Sequence, residues 1–268
     1  MNEELELLIK EICKEENIKY KNVSDNYITI LKKENKIRFI NKYKFGLNSQ
    51  IGSILSDDKY AMYEVLKEFN IPVIKYDLIW NRNNQKREEE IIDKINYIKK
   101  YFNDNNNHIV LKPNMGYSGN MLFNIDNTID IEPSFRKLLD YTDTIVANPF
   151  YKLKNEHRVI ILNNKCRLIY TKNLTNNSWQ FNLSKGSIAT KITDNNLKDK
   201  LINLAFKVYK LLNLSFVSID IVEDYNNNLY ILEINSGVSM TKYLKQHKED
   251  YNKIKNIYRD ALLELFKK

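Results

Sequence analysis

Apolar residues recur at helical spacing in several stretches of the chain. Leu5, Leu7, Leu8, Ile9 and Ile12 predict an opening helix over 3–16. Ser56-Asp57-Asp58 offers N-caps to a helix whose stripe is Ala61, Met62, Val65, Leu66 and Phe69. That helix must stop before Ile71-Pro72, because the residue preceding a proline is pushed out of the α region. Further helices are predicted over 88–101, with Ile91, Ile92, Ile95 and Ile98 inward, over 197–212, and over 251–266 at the end of the sequence.

Between them the pattern shortens to strands. Residues 27–31 and 37–40 make a hairpin candidate, and 72–80, 108–113 and 121–125 read as single strands. Strand 144–151 contains Pro149, which must interrupt it or leave it at an edge. A second hairpin pairs 156–162 with 166–172 around Asn163-Asn164. Alternation puts Glu156 and Arg158 on one face and His157, Val159 and Ile161 on the other. Lys172 has the parity of Leu168 and Tyr170, which should pack inward, so it reaches a site only if its strand ends there. Residues 179–189 read as a polar loop.

The strands of best quality are 216–222 and 229–235. With Asn226-Asn227 as a two-residue turn, position 220 lies opposite 233. Val217, Ile219 and Ile221 then lie over Leu232 and Ile234, while Asp220 shares the other face with Glu233 and Asn235. Acidic residues near a hairpin are most often merely solvated. Directly opposed carboxylates repel, however, so this register calls for a cation, and two carboxylates with an amide oxygen suit Mg²⁺.

Composition narrows the class. The chain has 268 residues, 43% hydrophobic and 28% charged, enough for one large or two modest domains of ordinary globular character. The start is acidic and amphipathic, no apolar run is long enough to span a bilayer, and Cys13 and Cys166 give neither a disulfide framework nor metal-ligand spacing, so a cytoplasmic protein without membrane partners is expected. A net charge of +8 invites a polynucleotide, but the lysines are dispersed and no arginine-rich tract or finger is present, so nucleic acid is disfavoured as a partner and a phosphate-bearing ligand serves as well. His108, His157 and His247 lack partners at triad spacing.

A strand ending at Lys112, then the loop Asn114-Met115-Gly116-Tyr117-Ser118-Gly119-Asn120, then a strand, can set an ammonium and backbone N–H groups around a polyphosphate. Two glycines in a loop are more often a plain turn, and the order is neither a P-loop nor a Rossmann fingerprint. Lys59 lies in the first turn of its helix, where a cation is disfavoured unless exposed or compensated by an anion.

With these pieces in order, residues 47–268 resemble the ATP-grasp ligases. The stretch from Leu47 to Val73, with Lys59 inside it, and the strands Ser218-Ile219-Asp220 and Leu232-Glu233-Ile234-Asn235 look like those of cyanophycin and glutathione synthetases; Asn182-Leu183-Ser184-Lys185-Gly186 resembles the loop of the ribosomal-protein glutamate ligases. The resemblance implies an α+β (α/β) fold in which two α+β subdomains, 53–150 and 151–268, clasp ATP behind a reduced N-terminal segment, 1–52. It implies that Lys59 and Lys112 hold the α- and β-phosphates, that Gly116, Tyr117, Ser118 and Gly119 close over them, and that the backbone of Ala147 to Phe150 reads adenine, with Asn148 where Glu or Gln is usual. Glu156 would grip the ribose. Arg158, Lys172 and Asn182 would lie near the γ-phosphate and acyl phosphate, and Asp220, Glu233 and Asn235 would hold two Mg²⁺, with Mn²⁺ as a substitute.

The implied activity joins a carboxylate to an amine, with small molecules or peptides as substrates and a homodimer as one option. Alternatives are an ATP-binding sensor or scaffold, or a kinase for a non-carboxylate acceptor. Two departures bear on substrate: the segment before Lys59 is short, and Ser236-Gly237-Val238-Ser239-Met240 lacks the Pro-Gly common after the last ligand.

Overall fold

The computed structural model describes residues 3–116, 119–175 and 178–267. In chain order the elements are α1 (Glu3–Glu15), β1 (Lys19–Val23), β2 (Ile28–Lys33), β3 (Lys36–Asn41), α2 (Gln50–Asp57), α3 (Lys59–Glu68), β4 (Asp77–Trp80), α4 (Glu88–Asp104), β5 (Ile109–Pro113) and β6 (Phe123–Ile125). They continue as α5 (Ile131–Tyr141), β7 (Ile145–Pro149), β8 (Leu153–Leu162), β9 (Lys165–Asn173), β10 (Ile188–Lys191), α6 (Asn195–Leu211), β11 (Phe216–Asp224), β12 (Leu229–Asn235), α7 (Thr241–Gln246) and α8 (Tyr251–Lys267).

The chain forms two compact units. The first comprises 1–56, 155–222 and 233–268, built on the sheet β10-β9-β8-β11-β12 and the small sheet β1-β2-β3. Its core joins Leu5, Ile9 and Ile12 of α1 to Ile254, Tyr258 and Leu262 of α8 and to Ile160 and Phe216 of the large sheet. The N-terminal segment therefore shares this core: the inner face of α1 has no other place to bury. The second unit comprises 57–154 and 223–232. Its antiparallel sheet β4-β7-β5-β6 carries α4 and α5 on one face, with Ile95, Ile98, Phe135 and Leu138 over Ile109, Leu111 and Ala147.

Local chemistry accounts for the boundaries. Asp58 caps α3 by accepting from the Ala61 N–H at 2.8 Å. Asn163 and Asn164 both take positive φ, 48° and 60°, the two-residue turn expected between β8 and β9. Pro149 ends β7, an interior strand; β4 pairs only as far as Ala147, so the missing N–H leaves no ladder bond unmade. Several expectations are corrected. Strand 72–80 is confined to Asp77–Trp80, Leu7, Phe69 and Ile92 of the apolar stripes are exposed, and Ile188–Lys191 is a strand on β9 although 179–189 read as a loop.

Candidate active site

In the first unit the register of β8 on β9 sets Glu156 opposite Lys172 and Arg158 opposite Tyr170. Lys172 thus shares the face of Glu156 and Arg158 at the end of β9, one residue before its last, Asn173, while Leu168 and Tyr170 of the same face pack into the core as expected. Arg158 donates from Nε to Asp220 Oδ1 at 2.6 Å and from Nη2 to Oδ2. Lys172 Nζ donates to Asp220 Oδ1 at 3.1 Å and contacts Glu156 Oε1. Asn235 Nδ2 donates to Glu233 Oε1 at 3.2 Å, and Asp220 also interacts with Glu233.

Asp220 is 1% exposed and Lys172 4%, so these charges act through little water. Burial opposes ionisation of Asp220, but Arg158 and Lys172 outweigh it and hold its carboxyl well below the usual range. Glu156 shares Lys172 with that stronger acid, and burial pushes it up to about 7.

The hairpin carrying the acids differs from expectation. Asp224 N–H donates to Asn228 O and Asn227 N–H to Asp224 O, both at 3.0 Å, so the turn holds Tyr225-Asn226-Asn227. Positive φ falls on Asn227 and not on Asn226. The Asp224 carboxylate accepts from the Asn226 and Asn228 N–H groups and wins the turn for this register. Along β12 the buried residues are Ile231 and Ile234, three apart, with Leu232 and Glu233 half-buried between them.

In the second unit Lys112 and Asn148 share the sheet face opposite α4 and α5, Lys112 level with Val146 and Asn148 with Val110. Lys112 Nζ sits 4.6 Å from the Tyr76 ring centroid and donates to its hydroxyl at 3.2 Å. Asn148 donates from Nδ2 to Pro149 O, while its buried Oδ1 has no partner among the described residues. Ala147 sits within the sheet opposite Asp77 and Leu111. Phe150 stacks on His108, and its N–H donates to His108 O at 2.9 Å; of the positions expected to read adenine, this main-chain donor is already committed. Lys59, at the first position of α3, is half-buried, and its Nζ donates to Asn114 O at 3.1 Å.

Tyr117 and Ser118 lie outside the described residues, and Gly116 and Gly119 flank them. Asn182 caps a short 3₁₀ turn, its Oδ1 accepting from the Ser184 N–H and hydroxyl. Sequence reasoning passed over Tyr76 and Asn114, for which spacing carried no signal. It also passed over Tyr43, whose carbonyl accepts from the Val238 N–H at 3.1 Å, so that the N-terminal segment walls the loop after Asn235.

The chain belongs to the RimK-like ATP-grasp domain family, whose match spans residues 56–257. It is 26% identical over 200 residues to "Uncharacterized protein MG012" of Mycoplasma genitalium, a match covering 73% of this chain and 66% of that one, less than two thirds of the relative's length. Its fold is that of solved ATP-grasp ligases. D-alanyl-alanine synthetase A from Vibrio cholerae aligns over 99% of this chain and 95% of its own, at 13% identity and TM-score 0.70. D-alanine–D-alanine ligase from Bacillus anthracis, complexed with ATP, aligns over 82% of this chain and 70% of its own, at 16% identity and TM-score 0.59.

Proposed function

We propose that this protein is an ATP-dependent ligase that activates a carboxylate as an acyl phosphate and passes it to an amine. The observation that carries the reading is the ion group of Arg158 with buried Glu156, Lys172 and Asp220, beside Glu233 and Asn235, within a chain of the ATP-grasp family.

The residues suit the reactants. Asp220, Glu233 and Asn235 offer carboxylate and amide oxygen atoms, the hard donors Mg²⁺ prefers. On this reading they hold two Mg²⁺, which supply charge stabilisation on the phosphate oxygens. The unpartnered Oδ1 of Asn148 asks for a donor, and the adenine amino group is one. Lys59 and Lys112 then serve the α- and β-phosphates, and Glu156 accepts from the ribose. Lys172 and Asn182 meet the transferring phosphoryl group.

A carboxylate oxygen of the substrate attacks the γ-phosphorus and the bond to ADP breaks. An amine then attacks the acyl carbon, phosphate leaves, and the amine gives up a proton. The loop 236–240 and Tyr43 choose the substrate, an amino acid or a peptide. No cysteine nucleophile takes part. The location is cytoplasmic, where ATP is supplied and the free thiols of Cys13 and Cys166 stay reduced; among the described residues no helix is long and apolar enough to cross a membrane. The test is ADP release screened over amino acids and short peptides, with mass spectrometry of the products. ATP binding without ADP release from any pair would support a sensor instead.

A further inference from the structure

We propose that Arg158 is the resident counter-ion of Asp220 and, with Lys172, keeps this carboxylate closed to free divalent cations until a nucleotide brings its own negative charge. The inference rests on the reading of Asp220 as a metal ligand.

A carboxylate offers about four lone-pair positions. Oδ1 of Asp220 accepts from Arg158 Nε at 2.6 Å and from Lys172 Nζ at 3.1 Å, which fills it. Oδ2 accepts from Arg158 Nη2, which leaves at most one position, and Glu233 also interacts with this carboxylate. The guanidinium fork lies across both oxygens, a geometry only Arg supplies and one that excludes bidentate ligation of a metal. Both partners are fixed: Asp220 is 1% exposed and the Arg158 side chain 19%.

Charge points the same way. Glu156, Asp220 and Glu233 face Arg158 and Lys172, so the group carries at most one net negative charge. A dication arriving alone meets two cations in contact with its ligand and at most a single open lone pair. One arriving on a triphosphate brings several further oxygen ligands and the charge to hold it. Arg158 cannot at the same time use Nε and Nη2 on the γ-phosphate, so its part is that of a positioning residue for Asp220.

The test is Mn²⁺ titration of the full chain followed by electron paramagnetic resonance, with and without a non-hydrolysable ATP analogue. Wild type should bind Mn²⁺ only with the analogue. Arg158→Gln without nucleotide should bind Mn²⁺ at least about tenfold more tightly than wild type, and adding Asp220→Asn should remove the gain. If circular dichroism shows Arg158→Gln to be unfolded, Arg158→Lys, which keeps the charge and loses the fork, should show a smaller gain. Wild type binding Mn²⁺ without nucleotide as tightly as the variants overturns the inference and leaves the metal reading standing. Absence of Mn²⁺ binding to wild type even with the analogue overturns the metal reading, and the inference with it.

Discussion

The ammonium of Lys112 lies over the face of the Tyr76 ring, 4.6 Å from its centroid, and donates to the Tyr76 hydroxyl, which in turn donates to Leu232 O at 2.9 Å. A lysine 7% exposed thus packs on an aromatic face and donates to its hydroxyl. Lys112→Ala should abolish nucleotide binding in calorimetry while the fold persists by circular dichroism. Tyr76→Phe removes both hydrogen bonds of the hydroxyl, but only the one from Lys112, about 1 kcal/mol, bears on the lysine, so it should weaken binding by no more than about tenfold.

Asn148 predicts base selectivity. Its buried Oδ1 needs a donor, which the 6-amino group of adenine supplies and the 6-oxo group of guanine does not. ATP should therefore bind at least about tenfold more tightly than GTP, and Asn148→Leu should narrow that gap. Equal binding of both nucleotides by wild type would remove Asn148 from the base site.

Asp220 sets an acid limit on stability. Its carboxyl is held below its ordinary value in the folded chain, so its contribution is present above the unfolded value, 3.8, and is lost as the pH falls towards the folded one. Asp220→Asn leaves Arg158 and Lys172 buried without it, and should cost about 3–5 kcal/mol in urea unfolding at pH 7. It should also flatten the fall in stability below pH 4.

Gly52 has no room for a side chain. A Cβ there would lie 2.5 Å from Leu212 O, a backbone atom that cannot swing aside. Gly52→Ala should destabilise the chain by about 1–3 kcal/mol, read by thermal unfolding, with nucleotide affinity unchanged at a temperature where the variant is folded.

Cys13 is 2% exposed, and burial pushes its thiol up to about 12. Iodoacetamide at pH 8 should label it only after denaturation, and labelling of the native chain at Cys13 would contradict its place in the core.

The helices with a single clear stripe were legible because one face of each meets a core: Ile91, Ile95 and Ile98 are buried as their spacing requires. Ile92 shows the limit, since the stripe is narrower than the run of isoleucines. β1, reading Lys-Tyr-Lys-Asn-Val, escaped notice because pairing with β2 and not its own composition makes it a strand. The two acidic strands were legible, but their turn was not: Asp224, outside the presumed turn, decides it by side-chain hydrogen bonds. The ion group was half legible. Alternation joined Glu156 to Arg158, whereas the pairing of Lys172 with Glu156, and of Arg158 with Asp220 at a sequence distance of 62, is a property of the sheet.

The central claim is chemical, that a carboxylate is phosphorylated, and hydroxylamine tests it most directly. Wild type incubated with ATP, Mg²⁺, hydroxylamine and a panel of amino acids and peptides should form ADP and an equal amount of one hydroxamate, seen by mass spectrometry, and Glu233→Gln should form neither. A phosphorylated product that accumulates unchanged in hydroxylamine, or nucleotide binding with no ADP across the whole panel, would contradict it.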